Sequence, residues 1–241
     1  FGSIGLVILV GIVAARGWFN SFIPVSGNRQ ATSTIAPAAT KVSTATKTFT
    51  PKPPTITPSP TPWIGSTMIG KDGMILVFVP AGKFTMGSEI GEPDESPEHE
   101  VFLSAYWIDQ TEVTNALYAK CVDDDICEPP LKAKSNTRER YFGNHEFDHY
   151  PVNYISWSRA KTYCQWAGRD LPTEAQWEKA ARGTDGRMYP WGNAKIRASL
   201  LNYQDGGLRD TTEVASYPDG VSPYGAFDMA GNVYEWFNDW Y

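Results

Sequence analysis

No aspartate or glutamate occurs in the first 70 of the 241 residues, although 27 follow. That opening stretch has too few apolar side chains to offset the entropy of ordering it, so the globular part starts near residue 63. Positive charge is scarce in the globular part. Of the 21 lysines and arginines, Arg16, Arg29, Lys41, Lys47 and Lys52 precede residue 63, leaving 16 against 27 acids and a formal balance of −11. Neutralising phosphates requires clustered Lys and Arg, which excludes nucleic acid as a partner. Excess carboxylate suits a cation-binding extracellular module, although a surface carboxylate is by default simply solvated.

A full-length apolar run is missing as well. Ile4 to Ala15 is uncharged and apolar, but it falls short of the roughly 20 residues that a bilayer span needs. The sequence begins with Phe1 rather than Met. Completed upstream, the run makes a transmembrane helix, and residues 1–25 are assigned to a partial membrane anchor. A signal-peptide core is the alternative, with Ala14 and Ala15 as cleavage cues and no basic segment ahead of it. From Ser26 to Pro62 the chain is Thr, Ser, Pro and Ala with scattered Lys, a composition that stays extended and partly polyproline II. Residues 26–70 therefore read as a disordered stalk and 71–241 as the domain. Anchor, stalk and domain in that order predict a single-pass protein of the cell membrane with its domain on the extracytoplasmic side.

Within the domain, Met74 to Val79 is a β-rich run closed by Pro80-Ala81-Gly82, and Lys83 to Ser88 follows, which predicts a hairpin. A second strand is expected over Val101 to Ile108. Thr114 caps a short helix to about Val122, and Ser156 caps another with Trp157, Ala160, Cys164 and Ala167 on its inward face and Gly168 at its end. Thr173 and Gln176 have capping-box spacing ahead of Trp177, Ala180 and Ala181, and Gly183 ends that helix. Beyond Gly183 periodicity is lacking. Such a segment needs something besides backbone pairing to hold it, and bound cations are one solution.

Cys121 and Cys127 bracket an acidic loop and predict a disulfide in a non-cytoplasmic domain. Cys164 packs as a small hydrophobe. His145-Glu146-Phe147-Asp148-His149 spells the H-E-x-x-H zinc pattern, but Gly143 and Asn144 before it and Pro151 after it leave no amphipathic helix to carry it, so it reads as a polar loop. Asp228-Met229-Ala230-Gly231-Asn232-Val233-Tyr234-Glu235 gathers two carboxylates, an amide and several carbonyls around a glycine. Hard oxygen ligands in a short irregular loop suit Ca²⁺ far better than Zn²⁺. Trp191, Trp236 and Trp240 offer an aromatic platform for a ligand, with core packing as the default use of each ring.

Taken in order, Val79-Pro80-Ala81-Gly82-Lys83-Phe84-Thr85-Met86-Gly87-Ser88, Asp109-Gln110-Thr111-Glu112-Val113-Thr114-Asn115, Pro151-Val152-Asn153-Tyr154-Ile155-Ser156-Trp157, Leu171 to Gly183, Tyr189-Pro190-Trp191-Gly192 and Tyr224 to Trp236 resemble the landmarks of the formylglycine-generating enzyme family, the sulfatase-modifying-factor domain. The resemblance implies an α+β fold of C-type lectin-like kind with little regular secondary structure. It also implies two structural calcium sites. Asp228 and Glu235 side chains with Gly231 and Val233 carbonyls form one. Asn202 and the Tyr203 carbonyl belong to the other, with Asp205 as its carboxylate and Asp210 as the alternative because the loop length differs. Glu95 matches a substrate-side glutamate of the family.

Family enzymes oxidise a sulfatase cysteine to formylglycine with O₂ and a copper ion held by two cysteines. Those cysteines belong to a segment after the Gly-Asn-Val-x-Glu-Trp motif, and Cys121, Cys127 and Cys164 do not occupy their positions, so copper is expected only if a further C-terminal segment carries the pair. No catalytic residue is assigned in this sequence. Two functions follow from the resemblance: an oxidase acting on a sulfatase-type peptide, or a calcium-stabilised binding module for an extracellular ligand, as in stalked bacterial members.

Overall fold

A computed structural model of the chain describes residues 61–90 and 93–239. The expected anchor, and the stalk as far as residue 60, lie outside the described residues. Among these residues no helix is long and apolar enough to cross a membrane.

The strands are β1 (Thr67–Ile69), β2 (Ile75–Val79), β3 (Gly82–Met86), β4 (His99–Leu103) and β5 (Tyr106–Asp109), and the helices are α1 (Asn115–Asp123), α2 (Trp157–Trp166) and α3 (Glu174–Arg182). β2 lies between β1 and β5 in an antiparallel sheet, while β3 pairs only with β4. The expected hairpin is therefore absent: β2 and β3 are consecutive but belong to different sheets. At the connection between them the buried Lys179 ammonium donates to the Pro80 and Gly82 carbonyls at 2.9 and 2.8 Å and ties the turn to α3. The expected second strand is likewise two, β4 and β5, interrupted at Ser104 and Ala105 so that each half joins a different sheet.

Helix starts follow their local chemistry. Thr114, Ser156 and Thr173 each accept a first-turn N–H, and Thr173 and Gln176 close a reciprocal capping box. Each cap contributes about 1 kcal/mol to its helix. Gly183 ends α3 at φ 73, a backbone that a Cβ disfavours. Of the expected inward face of α2, Ala167 is buried and Cys164 packs partly buried against the same cluster, and Tyr163, not expected there, is buried beside them. Tyr163 turns inward because its hydroxyl donates to the buried Asp72 at 2.6 Å.

Two apolar clusters organise the rest. Val77 and Val79 of β2, Ala180 and Ala181 of α3, and Tyr224, Ala226 and Met229 form one cluster, which ties the irregular C-terminal loops to the sheet. Tyr118, Cys121, Cys127, Tyr163 and Ala167 form the other, between α1 and α2. Beyond Gly183 the described chain contains only short helical turns at Gln204–Gly206 and Pro218–Gly220.

Candidate functional site

The loop from Gly225 to Glu235 is hung on the end of β5. The Phe227 N–H donates to the Gln110 carbonyl at 2.7 Å, and the Gln110 amide donates to the Gly225 carbonyl at 3.2 Å. Asp228, Gly231 and Asn232 all take positive φ, 54, 89 and 55°. The loop is thereby coiled so tightly that Asp228 and Glu235 both turn toward Glu112, which lies between β5 and α1.

Three carboxylates meet there. Glu112 and Asp228 are buried, at 7% and 8% exposure, and Glu235 is largely so. One Asp228 oxygen accepts from the Ala215 N–H at 2.7 Å and one Glu235 oxygen from the Trp177 indole at 2.9 Å. Glu112 Oε1 is buried without any protein partner. Burial pushes the Glu112 carboxyl well above its ordinary range, and the Asp228 and Glu235 charges push the same way. Burial also raises Asp228, and it raises Glu235 to about 7 against the pull of the Trp177 hydrogen bond. Like charges buried together in this way call for a cation or for protons.

The donors fit calcium, because every available atom is a hard oxygen and one of them is orphaned. Among the described residues no group of three or more His, Cys, Asp and Glu side chains is arranged to hold a metal ion by itself. Glu112 was not among the residues expected from the sequence. The available signal was an acid two residues before the Thr114 cap, in the segment Asp109-Gln110-Thr111-Glu112-Val113.

Asn202 lies against this loop. Its carbonyl accepts from the Asn232 N–H at 2.9 Å, and its amide donates to the Asp210 carbonyl and to Asn232 Oδ1 at 2.7 and 3.2 Å. Tyr203 precedes the Gln204–Gly206 turn, in which Asp205 is exposed. Asp210 is spent on protein donors: Ser135, Thr137, Thr211 and Arg138 surround it. Donors from Thr137 and Ser135 hold its carboxyl at about 2 although burial alone would raise it.

Glu95 ends a short turn, Pro93–Glu95, in the loop between β3 and β4. Its carbonyl accepts from the Ser88 N–H at 3.0 Å. Gly87, next to Ser88, is gripped by α3, with its N–H donating to Glu178 and its carbonyl accepting from Arg182. Cys121 and Cys127 are joined, with Cα atoms 5.2 Å apart. The Cys164 thiol is pushed up to about 12 by burial, with Asp109 adding to it. With Cys121 and Cys127 joined to each other, Cys164 is left without a second cysteine to complete a copper pair. The His145 side chain is 98% exposed and meets Asp148 in a single short turn, an arrangement without the helix a zinc pair requires. The tryptophans serve packing: Trp191 stacks on Tyr189 at 4.8 Å and Trp236 donates to the Ile155 carbonyl, while Trp240 lies outside the described residues.

Residues 70–241 match the sulfatase-modifying factor enzyme 1-like domain. The chain belongs to that family. It is 33% identical over 218 residues to the formylglycine-generating enzyme of Streptomyces coelicolor, a match covering 68% of each chain. It is 38% identical over 177 residues to the serine/threonine-protein kinase pkn1 of Chlamydia caviae, a match covering 69% of this chain but only 28% of that relative's length. Among solved structures, PvdO from Pseudomonas aeruginosa is similar with a TM-score of 0.60 and 26% identity, over 75% of this chain and 77% of that one. The family's fold, with its mixed strands and helices, accounts for the described architecture.

Proposed function

We propose that this chain is a membrane-tethered, extracytoplasmic recognition module of the formylglycine-generating-enzyme fold, braced by calcium. The observation that carries this reading is the burial of Glu112 near the charges of Asp228 and Glu235, which raise its carboxyl, while Glu112 Oε1 finds no hydrogen-bond donor. Glu112, Asp228 and Glu235, with the Gly231 and Val233 carbonyls, would hold the ion, which offsets two of the three negative charges and fastens the loop to β5 and α3. The Cys121–Cys127 disulfide supports an oxidising compartment. The surface loops, including the one bearing Glu95, would present the ligand surface to a sulfatase-type peptide or another extracellular ligand.

Thermal melts of the full chain with excess calcium and with chelator test this reading. An ion bound only by the folded state at a hundred times its dissociation constant adds about 2.7 kcal/mol. The midpoint should rise with calcium in the native chain and stay put in Asp228→Asn and Glu235→Gln. Equal midpoints in the native chain under both conditions would sink the proposal.

The match to the Streptomyces coelicolor enzyme favours a second reading, oxidation of a sulfatase-type cysteine by O₂ and copper. The chain's own cysteines do not fit that metal. Copper-dependent conversion of a Cys-x-Pro-x-Arg peptide to the aldehyde would establish the oxidase in place of the recognition module.

A further inference from the structure

The resemblance to the family anticipates a second calcium on the loop beginning at Asn202, and the surroundings of Asp210 bear directly on it. The Asp210 side chain is 4% exposed. It accepts from the Ser135 hydroxyl at 2.7 Å, the Thr137 N–H at 2.8 Å, the Thr137 hydroxyl, and the Thr211 N–H at 2.8 Å. Arg138 Nη1 faces the same carboxylate as an ion pair, 3.2 Å from Oδ1. Three of the donors fall on Oδ2, while Oδ1 takes the Thr211 N–H and faces Arg138, so a metal would have to displace the Arg138 charge.

The Arg138 guanidinium does more than pair with Asp210. It donates to the Thr211 carbonyl through both terminal nitrogens, at 3.2 and 3.1 Å. Its planar face covers the rings of Phe147 and Tyr150 at 4.9 and 5.1 Å, where a compact, hydrated ion could not sit. Asn136, two residues earlier, donates to the Arg209 carbonyl at 2.6 Å. One short segment, Ser135 to Arg138, thereby holds the backbone and the carboxylate of Arg209 to Thr211. The other carboxylate of the loop, Asp205, is exposed, and the Asn202 side-chain NH₂ donates to the Asp210 carbonyl and to Asn232, so Asp210 is the one buried carboxylate of the loop, already paired with Arg138.

We infer that Arg138 is the built-in cation of the 202–212 loop, standing where a second calcium would otherwise be needed, so that the protein takes one calcium ion rather than two. The count of one rests on the calcium reading of Glu112, Asp228 and Glu235 proposed above; the role of Arg138 does not. The consequence is a division of labour. Removing calcium loosens the Gly225 to Glu235 loop and leaves the 202–212 loop fastened.

Calorimetric titration of the chelator-stripped full chain with calcium, together with melts in chelator, tests this on the native protein and on Arg138→Met, Asp205→Asn and Asp228→Asn. The expected stoichiometry is one, retained in Asp205→Asn and lost in Asp228→Asn. Arg138→Met should melt several degrees lower in chelator, and by a similar amount in calcium. A stoichiometry of two with one ion lost in Asp205→Asn, or a single ion lost in Asp205→Asn, overturns the inference. No calcium binding at all defeats the recognition-module reading alone, and the chelator melt then decides for Arg138: an unchanged midpoint in Arg138→Met overturns its role, and a lowered one upholds it. Should Arg138→Met fail to fold, Arg138→Lys keeps the charge and Ser135→Ala removes one donor. A native midpoint in Ser135→Ala with a stoichiometry of two counts against the inference.

Discussion

Gly231 sits against the carbonyl of Asn202 so closely that a Cβ on it would lie 2.3 Å from that oxygen. The contact joins the two loops that carry the candidate ligands, and the neighbouring Asn232 N–H seals it at 2.9 Å. Gly231→Ala must therefore displace backbone as well as hold φ at +89. Gly143 gives the control, since it has φ +79 with nothing within 4 Å of its would-be Cβ. Urea unfolding should show Gly143→Ala costing about 1 kcal/mol and Gly231→Ala about 3 kcal/mol, with weaker calcium binding only in the latter. Equal losses at the two positions would mean that the contact with Asn202 carries no weight.

The buried acids set the sign of a pH effect. Glu235 keeps its proton to about 7 in the folded chain, whereas an unfolded glutamate releases it near pH ~4.3. Between these values the folded state binds more protons than the unfolded one, so stability in chelator falls as pH rises through this window. One such group is worth about 3 kcal/mol across the whole window. Calcium requires the carboxylates ionised, so its increment grows in the same direction. Melts across pH 5 to 8 should show the chelated midpoint dropping while the gap to the calcium-loaded midpoint widens. A chelated midpoint that climbs from pH 5 to 7 contradicts the assignment.

Much of the helical framework was legible because its determinants are local. Thr173 and Gln176 announce a capping box three residues apart, and Thr114 and Ser156 announce their helices by the same logic. What escaped the sequence depends on partners far along the chain. Lys179 is one example: its ammonium finds the Pro80 and Gly82 carbonyls nearly a hundred residues away, and nothing local in the sequence marks that contact. On α2 the expected Ala167 is buried, but Tyr163 was missed, because its hydroxyl reaches a buried partner, Asp72, far along the chain. At the candidate site the Asp228 to Glu235 spacing was readable within one loop. The third carboxylate, Glu112, enters from more than a hundred residues earlier and could not be paired with it by spacing.

Arg169 holds Asp72 and Asp109 together. Its terminal nitrogens meet the two Asp72 oxygens at 2.9 and 2.8 Å, and its Nε meets Asp109 at 3.0 Å. The Asp72 side chain is wholly buried. Burial pushes its carboxyl upward, but Arg169 and the Tyr163 hydroxyl overcome this and hold it at about 2. The resulting stability is present above the unfolded value near ~3.9 and is lost as pH falls through about 2. Arg169→Met strands the buried charge and should cost about 3 to 5 kcal/mol at neutral pH by urea unfolding, whereas the double change with Asp72→Asn should recover part of it. A single variant as stable as the native chain would show that the pair is dispensable.

The cysteines provide a test that separates covalent bracing from thiol chemistry. Cys121 and Cys127 close a loop with a sequence separation of 6, and so short a ring constrains the unfolded chain by about 2 kcal/mol. Replacing both with serine should lower stability by that amount. Cys164 behaves differently: at pH 8 a thiol pushed to about 12 is almost entirely protonated, and only the thiolate reacts. Iodoacetamide should therefore leave the native chain unlabelled, label one cysteine per chain once urea unfolds it, and label three after reduction. Rapid labelling of Cys164 in the folded protein would place a reactive thiolate beside Asp109, and would reopen the case for redox chemistry on this chain's own cysteines.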